Sequence, residues 1–169
     1  DGTQYVAWDV SNVKVMTDMF SVTTAFNQPI NKWNTSNVKN MEQMFRQSIF
    51  NQNITENEVT LDNEPTYTAW NVSNVTNMYA MFHQHYTFNN GSVDISGNPS
   101  SEPQNELNWN TVNVTNMGNM FNSATRFNSP VSTWDTSNVI NMANMFHVAT
   151  SFEQEVRTWD IGSVSTNAN

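Results

Sequence analysis

One thirteen-residue string recurs five times in this chain: W-[D/N]-x-x-N-V-x-x-M-x-x-M-F, starting at Trp8, Trp33, Trp70, Trp109 and Trp134. A sixth copy opens at Trp159 and stops before its first methionine position. Spacings between successive tryptophans are 25, 37, 39, 25 and 25 residues, a 25-residue period lengthened twice. A fixed period of this size builds stacks, in which each unit buries its apolar face only against its neighbours. The chain therefore reads as one domain, residues 1–169, with five full coils and a partial sixth.

The second repeat shows what a coil should look like. Ile30, Trp33 and Thr35 alternate inward around Asn34, which suits a very short strand. Met41, Met44 and Phe45 then fall at i, i+3 and i+4, the spacing of one or two helical turns laid on a core. Phe50 and Ile54 close the coil. The expected fold class is thus a leucine-rich-repeat-like solenoid of short parallel strands and short helical turns. Leucine itself occurs only at Leu61 and Leu107, so Trp, Met, Phe, Val and Ile must supply the burial, about 1.5–3 kcal/mol for each large side chain.

Both lengthenings fall in the same loop of consecutive coils, as insertions over about 55–69 and 94–108. They should therefore emerge side by side from one face, the place where repeat proteins often bind. Together they hold Glu56, Glu58, Asp62, Glu64, Asp94, Glu102 and Glu106, seven of the fifteen acidic residues. Such a cluster makes calcium the one cation worth considering; no other cofactor is indicated. A second candidate surface is the polar residue beside each tryptophan: Asp9, Asn34, Asn71, Asn110, Asp135 and Asp160. Facing outward at one strand step, this strip could hydrogen-bond a glycan or collect a cation. The asparagines four residues after each tryptophan (Asn12, Asn37, Asn74, Asn113 and Asn138) are expected to brace turn backbone along the stack.

Several function classes fall away on inventory. With a formal net charge of −9 and no Lys or Arg between Gln47 and Thr125, the chain lacks the basic patch that nucleic acid requires. No apolar run is long enough to span a bilayer. The absence of cysteine excludes disulfides and thiolate metal sites. Of the three histidines, His83 and His147 sit at equivalent places two coils apart, and none has an acidic partner at a consistent spacing, so an enzyme is not expected. The chain begins at Asp1, which suits a mature or trimmed segment. Six N-x-[S/T] sequons, at Asn34, Asn53, Asn71, Asn74, Asn90 and Asn113, open the possibility of a glycoprotein. A chain so rich in Asn, Ser and Thr would carry about six by chance.

The string from Trp33 to Phe45, followed by Phe50-Asn51-Gln52-Asn53-Ile54, resembles the BspA-like leucine-rich repeat of bacterial surface proteins. That group is known from mycoplasma lipoproteins and Listeria-type surface proteins, and also from protists and large viruses. The resemblance implies an extracellular or cell-surface adhesion or recognition module, with a protein or glycan as partner, and brings no catalytic residue. One departure stands out: Val38 occupies the place where a leucine-rich repeat has its buried asparagine, and Asn37 comes one residue early. Neither end carries a polar cap. The alternative is therefore a structural subunit of an extracellular filament, copies joining end to end through the half coil at Trp159 and the lead segment around Tyr5.

Overall fold

A computed structural model describes residues 8–62, 65–92 and 105–165. Let each tryptophan be position 0 of its repeat. Each repeat folds as a run of tight turns closed by i to i−3 backbone bonds. In the second repeat these run from the Trp33 N–H to the Ile30 carbonyl, from Val38 to Thr35, from Met44 to Met41, from Arg46 to Gln43 and from Ser48 to Phe45. The N–H groups between these turns point along the stack. Those of Met41, Gln43, Phe45 and Gln47 donate to the carbonyls of Asn77, Tyr79, Met81 and His83 in the next repeat, at 2.9–3.0 Å. Positions 8, 10, 12 and 14 thus bond forward to positions 7, 9, 11 and 13, and the same pattern joins the first to the second, the third to the fourth and the fourth to the fifth repeat.

This geometry overturns the expected solenoid of parallel strands and helical turns. Among the described residues there is no helix. The two strands present, β1 (Asn57–Val59) and β2 (Tyr67–Ala69), pair antiparallel within the first insertion. Parallel contact survives as single bridges at position 7, linking Val15, Asn40, Asn77, Asn116 and Asn141 in succession. The helical expectation fails because positions 10 and 14 take left-handed backbone in every full repeat. Asp18, Gln43, Ala80, Asn119 and Asn144 fill the first, with φ of 53–56°; Val22, Gln47, Gln84, Ser123 and Val148 fill the second, with φ of 52–60°. A left-handed residue interrupts the i to i−4 ladder. Met, Met and Phe still converge on one side, because two linked turns place i, i+3 and i+4 together much as a helix does. The strand expectation at Ile30–Thr35 fails because the N–H groups of Trp33, within the segment, and Val38, just after it, are turned back onto the Ile30 and Thr35 carbonyls as local turns.

Apolar side chains stack into columns. Neighbouring indoles from Trp33 to Trp159 lie 6.0–6.4 Å apart and within 11° of parallel. Phe20, Phe45, Phe82, Phe121 and Phe146 form a second column at 5.4–5.6 Å. Met41, Met44, Met78, Met81, Met117 and Met120 are fully buried between them. Each indole N–H from Trp70 onward donates to a carbonyl of an earlier repeat: Trp70 to Ile30, Trp109 to Ile54, Trp134 to Leu107 and Trp159 to Val131. The indole nitrogens of these four tryptophans therefore cost no unpaired burial.

Candidate functional site

Polar columns run beside the apolar ones, and most are spent on backbone. The strip at position 1 is a row of Asx turns. The side-chain oxygens of Asp9, Asn34, Asn71, Asn110, Asp135 and Asp160 each accept the N–H two residues on, at 2.8–3.3 Å. The hydroxyl and N–H of Ser11 hold the exposed Asp9 carboxyl below its usual range, and Ser137 does the same for Asp135. Carbonyls of this row are also used, since Thr35, Thr111 and Thr136 donate their hydroxyls to those of Asn71, Asp135 and Asp160. The expected asparagine brace at position 4 is present: the amides of Asn37, Asn74, Asn113 and Asn138 donate to the carbonyls of Ser11, Ser36, Ser73 and Val112, at 2.7–2.8 Å.

Two further rows escaped the sequence reading. At position 7, Asn40, Asn77, Asn116 and Asn141 accept the N–H two residues later, an Asx turn at each inter-repeat bridge. After the second phenylalanine of each repeat, the Asn27 side-chain oxygen accepts the Asn51 N–H, Asn51 that of Asn89, Asn89 that of Asn128, and Asn128 that of Glu153. The signal was the dipeptide Phe-Asn at Phe26, Phe50, Phe88 and Phe127.

The two insertions do lie side by side, and hydrogen bonds lock them together. The Thr55 hydroxyl donates to the Glu106 carbonyl, the Glu56 N–H to the Asn108 side chain and the Asn110 N–H to the Glu56 carboxylate. Buried Asn90 ties both to the stack: its amide reaches Thr55, Asn105 and Glu106, and its oxygen accepts the Ile54 N–H. Gly91 follows with φ of +76°, and a Cβ there would stand 2.8 Å from the Asn53 backbone nitrogen. Burial raises the Glu56 carboxyl above its ordinary range, opposed by the Asn110 N–H. From this base the β1–β2 hairpin carries Glu58, Leu61 and Asp62 outward, all exposed, with Glu106 exposed beside its foot. Of the remaining expected acids, Glu64, Asp94 and Glu102 lie outside the described residues, as does Tyr5 of the lead segment. Among the described residues no three His, Asp or Glu side chains are grouped to hold a metal ion, and no helix is long and apolar enough to cross a membrane.

The sequons differ in what their amide nitrogens do. Those of Asn74, Asn113 and Asn90 are engaged in the contacts above, and Asn90 is fully buried. Asn34 and Asn71 are half-buried in their turns, whereas Asn53 is exposed beside the first insertion. The histidines do not converge. His83 is half-buried and lowered by its burial and by Arg46, while His85 is fully buried with its ring tilted against Phe82 and Phe88. Its Nδ1 accepts the Phe88 N–H, and burial pushes its pKa down to about 4.

A family model described as "Mycoplasma protein of unknown function, DUF285" matches residues 3–68, 63–101 and 96–169. The chain belongs to this family. Boundaries between the three matches fall inside the two insertions, so in this DUF285 chain the added loops interrupt the family's repeating pattern. No curated protein and no solved structure matches the chain.

Proposed function

We propose that this chain is a non-enzymatic recognition module of a cell surface, and that the paired insertions are its binding face. The observation that carries this reading is the lock between Thr55, Glu56, Asn90, Asn105, Glu106 and Asn108, which ties the described bases of the two insertions to each other and to the stack. Binding residues are commonly held on loops that a scaffold positions, and ordering them before binding lowers the entropic cost of association. Glu58, Leu61 and Asp62 then offer an acidic rim around one apolar contact, suited to a protein or glycan partner that brings hydrogen-bond donors or positive charge. The resemblance of the repeat to bacterial surface-protein repeats supports an extracellular setting.

The test is adhesion of the purified chain to host-cell monolayers and to a glycan array, with calcium or with EDTA. A variant in which Thr60–Thr66 is replaced by a two-residue turn should fold and lose binding. Undiminished binding by that variant would reject the insertions as the binding face, and no binding by the parent chain to any surface would reject the recognition role.

A further inference from the structure

We propose that the turn from His85 to Phe88 is an acid-sensitive catch for the insertion lock: protonation of the His85 ring opens the turn and frees Asn90 from Thr55 and Glu106, while the rest of the stack stays folded. The proposal concerns the lock itself and does not depend on what the insertions bind. At the equivalent point the fourth and fifth repeats close this turn through backbone, the Phe127 and Phe152 N–H groups donating to the carbonyls of Ala124 and Ala149. In the second repeat the Ser48 hydroxyl accepts the Phe50 N–H. The third repeat uses a base instead, His85 Nδ1 accepting the Phe88 N–H at 3.2 Å. The ring's own proton therefore sits on Nε2, which has no hydrogen-bond partner among the described residues.

A second proton can add only at Nδ1. There it turns the acceptor into a donor aimed at the Phe88 N–H, and it charges a fully buried ring packed against Phe82 and Phe88. No carboxylate offsets that charge: residues 44–50, 81–88 and 120–127, the equivalent stretches of the second, third and fourth repeats, carry Arg46, His83, Tyr86 and Arg126 but no Asp or Glu. Phe88 leads directly into the lock. The Asn51 side-chain oxygen accepts the N–H groups of Asn89 and Gly91, and Asn90 between them reaches Thr55, Asn105 and Glu106. Glu56 works the other way, since a carboxyl raised by burial holds its proton more readily in the closed lock, and Glu58 and Glu106 are exposed. That leaves His85 to drive opening. With a pKa of about 4 when closed and the ordinary 6.5 when open, the ring should favour the open turn about 20-fold more at pH 5 than at pH 7. The opening stays local because each repeat packs only on its neighbours.

Hydrogen exchange read by mass spectrometry between pH 7 and pH 5, corrected for the intrinsic pH dependence of exchange, tests this. In the parent chain, protection of residues 53–56, 88–92 and 105–110 should fall about 20-fold over that range, while residues 134–146 keep theirs. His85→Ser, which supplies the kind of turn that Ser48 makes, should leave the lock as protected at pH 5 as at pH 7. If that variant does not fold, His85→Ala supplies the turn that Ala124 and Ala149 make and carries the same expectation. Constant protection of the lock in the parent overturns the proposal, and so does an equal fall in residues 134–146, which is global unfolding. An undiminished fall in the substituted chain also overturns it, because another group then takes up the proton.

Discussion

Replacing Trp109 by phenylalanine tests the idea that each repeat is held through its tryptophan by both packing and one hydrogen bond. Trp109 is 1% exposed, its ring is stacked 6.1 Å from both Trp70 and Trp134, and its N–H donates to the Ile54 carbonyl at 2.9 Å. No other donor among the described residues reaches that carbonyl. Phenylalanine keeps a ring in the column but orphans the carbonyl, at about 1–3 kcal/mol. The smaller ring leaves a void of about 40 Å³, which at about 24 cal/mol per Å³ adds about 1 kcal/mol. A total loss of about 2–4 kcal/mol is expected in urea unfolding followed by circular dichroism. The matched control is Trp8→Phe at the exposed end, which should cost less than about 1 kcal/mol. Equal losses at the two sites would refute the reasoning, because burial and the carbonyl bond are what distinguish them.

Three further perturbations probe other features. Val148 holds a β-branched side chain at φ 58° while 49% exposed, so Val148→Asn should raise stability by about 0.5–1 kcal/mol and the melting temperature by a few degrees; a loss of stability would remove strain from the account. Thr111→Val deletes the hydroxyl bond to the Asp135 carbonyl but keeps the shape, which Val72 shows to be accepted at this position; a cost of about 1 kcal/mol is expected in the same unfolding assay. His85 stays neutral in the folded chain down to about pH 4, whereas the unfolded chain takes up its proton near pH 6.5. Its contribution is therefore present above pH 6.5 and lost as pH falls toward 4, amounting to about 2 kcal/mol between pH 7 and 5. His85→Ser, the residue at the equivalent Ser48, should flatten that part of the profile; an unchanged slope would show that another group carries it.

Much of this was legible in the residues. The recurrence of Trp, Met and Phe marked the columns, Asn37 and its equivalents marked a brace, and two insertions in one loop of adjacent repeats had to meet. The local backbone was not legible, for a definite reason. Spacings of i, i+3 and i+4 at Met41, Met44 and Phe45 are common to a helix and to two linked turns. Glycine, the usual marker of left-handed backbone, is absent from positions 10 and 14, where Gln43 and Gln47 stand instead. At position 1 the outward strand residue proved to be an Asx turn, because the oxygen of Asn34 is close enough to its own chain to accept the Ser36 N–H.

The forward ladder has a mechanical consequence. Because hydrogen bonds run along the stack, a pull on the two ends loads one junction at a time, and the chain unpeels from its termini rather than failing at once. Each released repeat of 25 residues would lengthen the chain by up to about 85 Å, blunting a sudden load at a small and repeated force. The clamp of Asn90 on Thr55 and Glu106 staples the middle repeats together, so they should yield last. Single-molecule stretching would then record a sawtooth of regular steps ending in one larger event, the trace of a tether that gives way gradually while its centre holds.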